Sequence, residues 1–189
     1  DGGGLAVFLD KGGSVTIDDS TISDNTASLL SGSQGGGIFI GCGGGTSTTI
    51  AITDTTISNN TTSGDGGGIF TFGACGGSPT LNYSLQHVTV SNNTAAGEGG
   101  GLRTAAPWTI GNTGGASVFS GNSADTGGGI YAVVGAGLTI TGTRIEGNAA
   151  TSGSGGGIRL NDTSSITGSI IRGNSSTALA DGIQMASGS

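Results

Sequence analysis

The chain has 189 residues, of which 43 are glycine, 33% are hydrophobic and 9% are charged. Glycine at that share excludes an ordinary helical protein, because each one inside a helix costs about 1 kcal/mol relative to alanine, and modest hydrophobicity with so little charge excludes a disordered chain. Twelve acidic residues against five basic ones give a net charge of -7, which repels a phosphate backbone and excludes nucleic acid. No apolar run reaches the roughly 20 residues of a membrane helix, so no membrane insertion is expected.

In chain order the sequence repeats two motifs, a glycine triplet followed by Leu or Ile and an apolar residue followed three positions later by Asn. The first coil starts near residue 1 with Gly2, Gly3, Gly4 and Leu5, continues through Val15 and Ile17, and ends on Ile22 and Asn25. The second starts near 34 and carries Gly37, Ile38, Ile50, Ile52, Ile57 and Asn60. The third starts near 65 and carries Gly68, Ile69, Tyr83, Leu85, Val90 and Asn93. In the fourth, from near 98, Gly101 and Leu102 precede Phe119 and Asn122, but Gly114 stands where the alternation needs an apolar residue. Trp108, Thr109 and Ile110 are expected to supply that strand instead. The fifth, from near 126, has Gly129, Ile130, Leu138, Ile140, Ile145 and Asn148, and the sixth, from near 154, has Gly157, Ile158, Ile166, Ile171 and Asn174. A partial seventh near 179 holds Asp181, Gly182 and Ile183.

Period-two alternation after each triplet and again before each second motif marks strands, and the stretch around the second motif marks a third. Three short strands per coil, joined by variable loops without a helix signal, predict an all-β parallel β-helix solenoid of six coils and a partial seventh, with 1–189 as one domain. Strands about 4.8 Å apart make six coils a rod of about 29 Å. Glycine triplets suit a corner that needs positive φ or a close backbone approach. The recurring Asn25, Asn60, Asn93, Asn122, Asn148 and Asn174 are expected to stack as an asparagine ladder.

These paired motifs resemble the GGA[ILV] and FxxN repeats of the chlamydial polymorphic outer-membrane proteins and related bacterial surface proteins, of the pectate-lyase-like right-handed β-helix class. The resemblance covers nearly the whole chain and implies a right-handed β-helix at a cell surface. This chain departs from the pattern with Gly for Ala in the triplet and mostly Ile for Phe, only Phe119 keeping the latter.

Cys42 and Cys75 each lie 15 residues before the apolar member of the next second motif, Ile57 and Val90. Equal offsets set them one above the other, about 5 Å apart and within the window of a disulfide, which implies an oxidising compartment. Two free thiols in loops are the alternative. One lysine and abundant Thr and Ser also fit an extracellular or cell-surface location.

Stacking turns distant positions into columns, and three of these carry chemistry. Asp19, Asp54 and His87 share a turn position, where they either bind a divalent cation or do acid/base work, or are turn residues favoured for backbone reasons. Asp65 and Glu98 precede their triplets, where calcium would need six to eight oxygens; solvated turn acids are the alternative, and no cofactor is required. The outward column after the triplets, Phe39, Phe70, Arg103, Tyr131 and Arg159, suits a protein contact or stacking on and pairing with acidic sugars. Nucleophilic triads, phosphate loops and zinc spacings do not occur, and one histidine leaves little for conventional catalysis. The expected role is a non-enzymatic extracellular solenoid for surface display, adhesion or end-to-end filament assembly, self-associating end to end or laterally, with a cell-surface glycan or protein as a further partner. The alternative is a carbohydrate-binding or polysaccharide-active β-helix using the aromatic and arginine face.

Overall fold

The computed structural model describes residues 2–9, 11–28, 32–43, 47–73, 80–112 and 114–186, the side chain of Cys42 excepted. Among them every regular element is a strand, and all sheet pairings are parallel between one coil and the next. The first sheet has seven strands, Leu5–Leu9, Ile38–Gly43, Ile69–Thr71, Leu102–Thr104, Ile130–Ala132, Ile158–Leu160 and Ile183–Met185. The second has six, Gly13–Asp18, Ser47–Thr53, Thr80–Gln86, Trp108–Ile110, Thr139–Thr141 and Ser165–Thr167. The third, also of six, is built from short strands such as Thr56–Ser58 and Val118–Ser120 around the apolar residue of the second motif. This is a parallel β-helix with the three strands per coil expected from the motifs. A two-residue strand after each ladder asparagine, such as Thr61–Thr62, adds a fourth sheet.

Register follows the motifs. Val15 pairs with Ile50, Ile50 with Tyr83, and Tyr83 with Trp108. Trp108–Ile110 therefore replaces the broken alternation at Gly114, and an Asn112–Gly115 bridge follows that strand. Asn112 Oδ1 accepts hydrogen bonds from the main-chain N–H groups of Gly114 and Gly115 at 2.7 and 3.1 Å.

Inward positions of the first three sheets form one continuous core, including Ile38, Ile52, Ile57, Leu85, Ile110, Phe119, Ile140 and Ile158. Inward positions of the fourth sheet are small, Ala27, Thr62, Ala95, Ala124 and Ala150, all buried. The triplets explain this: a Cβ on Gly36 would lie 2.8 Å from the backbone of Thr61 and 2.4 Å from the carbonyl oxygen of Gly67. Two backbones thus meet at this corner, leaving room for a methyl group but not a leucine.

Candidate functional site

The six ladder asparagines stand in register, and five hydrogen bonds from Nδ2 to the Oδ1 of the next coil, 2.9–3.0 Å long, join Asn25, Asn60, Asn93, Asn122, Asn148 and Asn174. Each receiving Oδ1 also accepts the main-chain N–H of the asparagine before it. The second Nδ2 hydrogen reaches back to the carbonyl of the preceding coil's apolar residue, as from Asn93 to Ile57. Asn60, Asn93, Asn122 and Asn148 are fully buried with both amide donors and the acceptor oxygen satisfied, which an apolar interior demands. The third glycine of each triplet lies against this column, so that a Cβ on Gly37 would sit 2.9 Å from Asn60 Nδ2. Glycine and asparagine motifs are therefore two sides of one packing arrangement.

The outward column of the first sheet departs from expectation. Phe39 and Phe70 do not face water; they are 4% and 0% exposed. Their rings stack parallel with centroids 5.6 Å apart, Phe72 packs edge-on against both, and Phe8 tilts against Phe39. Alternation along the strand correctly directs these side chains away from the main core. It does not reveal that four phenylalanines from three coils make a second apolar cluster outside the sheet. Arg103 caps it, its guanidinium carbon 4.8 Å from the Phe70 ring centre. Tyr131 and Arg159 are half-exposed beyond Arg103.

Asp65 and Glu98 face this capping arginine. Arg103 Nε lies 4.0 Å from Asp65 Oδ2 and 3.7 Å from Glu98 Oε2, while Asp65 Oδ1 accepts the main-chain N–H of Glu98 at 2.8 Å. The two acids thus serve an arginine and a turn N–H in this structure. Burial raises the Tyr131 phenol above its ordinary pKa, and the nearby Glu98 carboxylate raises it further.

Asp19, Asp54 and His87 occupy one turn column, with φ of 44°, 45° and 54°. Gly142 and Gly168 continue it with φ of 57° and 59°, so the shared feature is a left-handed corner, which Asp, Asn, His and Gly tolerate best. His87 Nδ1 lies 3.2 Å from Asp54 Oδ1, and both side chains are exposed. Among the described residues no three His, Cys, Asp or Glu side chains gather closely enough to hold a metal ion. Beyond His87 the column opens into a shallow groove of about 390 Å³ over Gly115, Ala116, Gly142 and Gly168, walled by Thr141 and Thr167. Cys75 and the side chain of Cys42 lie outside the described residues.

Sequence reasoning missed one column. The residue after each turn position is Ser20, Thr55, Ser117, Thr143 or Ser169, and the hydroxyls of Thr55, Ser117 and Ser169 each accept a main-chain N–H from the coil before, as Ser117 Oγ does from Val88 at 3.3 Å. Val88 interrupts this hydroxyl column and hides it from a motif search.

With six-coil parallel stacking and the ladder in place, comparison with known families is decisive: the model of the right-handed β-helix region matches residues 1–189. The chain belongs to the right-handed β-helix family. No curated protein and no solved structure matches it.

Proposed function

We propose that the chain is a non-enzymatic structural solenoid of an extracellular or cell-surface protein, a stiff unit for display or adhesion whose coils associate end to end. The observation that carries this reading is the asparagine ladder. Each internal amide is completed only by coils on both sides, so the fold is a stacking device along its whole length. Among the described residues its outermost members are unsaturated: Asn25 Oδ1 accepts no hydrogen bond, and the main-chain N–H and one Nδ2 hydrogen of Asn174 find no acceptor. An acceptor at one end and donors at the other suit a further coil of the same type. Such contacts join unlike surfaces and propagate linearly. The first sheet runs one strand beyond the other three, so a docking copy seats across a step.

The resemblance to polymorphic outer-membrane protein repeats supports the surface location, as does a Cys42–Cys75 disulfide if formed. The carbohydrate-active alternative loses support, since Phe39 and Phe70 are covered by Phe8 and Phe72 and cannot stack on a sugar ring. Electron microscopy of the full chain over a range of concentrations tests the proposal. Linear particles that lengthen with concentration are expected, and short particles of one size at every concentration reject end-to-end association.

A further inference from the structure

The corner column that carries Asp19, Asp54 and His87 continues as Ala116, Gly142 and Gly168. Long side chains stop at His87, and the groove of about 390 Å³ begins where they stop. His87 closes that end: a Cβ on Gly115, which lines the groove, would lie 2.8 Å from His87 Nε2, so the imidazole edge stands over this glycine. Toward the other end, Gly168 has nothing within 4 Å of the place where a Cβ would stand, and the groove is open.

The other ring nitrogen sets what Nε2 can do. An ionised carboxylate only accepts, so at the 3.2 Å contact His87 Nδ1 donates to Asp54 Oδ1, and in the neutral ring Nε2 is left as an acceptor. Thr141 and Thr167, paired in register on the groove wall, accept through their carbonyls from Thr143 and Ser169, while their hydroxyls have no partner among the described residues. Asn112 donates to Gln86 at 3.3 Å, and Ala116 and the glycines bring no polar side chain.

Charge narrows the occupant. No lining residue is charged, Asp54 and Asp19 stack behind the closed end, and the chain carries a net charge of -7. Arg144, two residues beyond Gly142, is held by Glu146, as is Arg172. An imidazole acceptor backed by a carboxylate favours a cationic donor and repels an anion. We propose that this groove binds a small organic ammonium ion, its N–H on His87 Nε2 within the field of Asp54 and its apolar body over Ala116, Gly142 and Gly168. The site needs no catalytic step and stands or falls independently of end-to-end assembly.

His87 is the one histidine of the chain, so its ring C–H resonances report on the site without assignment by mutation. The test titrates the full chain with benzylamine, benzyl alcohol and phenylacetate, in buffer that keeps the imidazole neutral and the amine charged. The expected result is a saturable shift with benzylamine, about tenfold weaker binding of benzyl alcohol and none of phenylacetate. Ala116→Leu, at an exposed position, fills the groove and abolishes the response. Asp54→Asn, which keeps a residue tolerant of the φ of 45°, weakens benzylamine to the level of the alcohol. Drift without saturation, or a response that survives Ala116→Leu, overturns the site. Equal binding of amine and alcohol by the parent chain overturns its selection of an ammonium ion. If Ala116→Leu does not fold, the parent chain and Asp54→Asn still decide, because benzylamine either loses its advantage over the alcohol with the carboxylate or does not.

Discussion

Replacing Asn93 with alanine removes four hydrogen bonds, two that its Nδ2 donates to Asn122 Oδ1 and the Ile57 carbonyl and two that its Oδ1 accepts from Asn60. The Asn60 main-chain N–H and one Asn60 Nδ2 hydrogen are then left unpaired at a position with no solvent exposure. At about 1–3 kcal/mol for each orphaned buried donor, the loss is about 2–6 kcal/mol, with the void left by the carboxamide adding to it. Asn25→Ala provides the graded comparison. It removes one bond, from Nδ2 to Asn60 Oδ1, while the Asn25 main-chain N–H still satisfies that oxygen, and no donor is orphaned. Its cost is about 0.5–1.5 kcal/mol. Urea unfolding followed by two probes, with linear extrapolation, measures both. Equal losses for the two variants, or a loss under about 1 kcal/mol for Asn93→Ala, would refute the assignment of coil-to-coil cohesion to the ladder.

Gly67→Ala is expected to destabilise by about 1–3 kcal/mol or more, since its Cβ would lie 2.5 Å from the Gly100 carbonyl oxygen, whereas Gly114→Ala, whose nearest contact is Asn112 Oδ1 at 3.3 Å, stays within about 1 kcal/mol of the parent in the same assay. Both tyrosines, Tyr83 and Tyr131, are raised above the ordinary phenol value, each chiefly by burial. The unfolded chain therefore ionises first: their contribution to stability is complete below pH about 10 and is lost as pH rises through the folded-state values. Ultraviolet titration should show little phenolate at pH about 10 until the chain unfolds, and two ordinary midpoints would contradict it. Iodoacetamide without reductant should label neither Cys42 nor Cys75 by intact mass; two added groups would remove the disulfide and its argument for an oxidising compartment.

Much of the fold was legible because its two motifs are stereochemical necessities. Gly36 must be glycine because two backbones meet there, and Asn93 must be asparagine because only a carboxamide both donates to Ile57 and Asn122 and accepts from Asn60. The fourth sheet was not legible, since pairs such as Ala149 and Ala150 carry too little pattern to mark a strand. Nor was the burial of Phe39 and Phe70, because strand alternation distinguishes only inside from outside, whereas their cover comes from Phe72 just beyond the strand end and Phe8 one coil away.

Hydrogen exchange at the asparagine side-chain amides tests most directly the claim that each coil is completed by its neighbours. The ladder predicts protected amides at Asn60, Asn93, Asn122 and Asn148, faster exchange at the half-buried ends Asn25 and Asn174, and immediate exchange at exposed Asn82. Loss of all six ladder amides at the rate of Asn82 would contradict it.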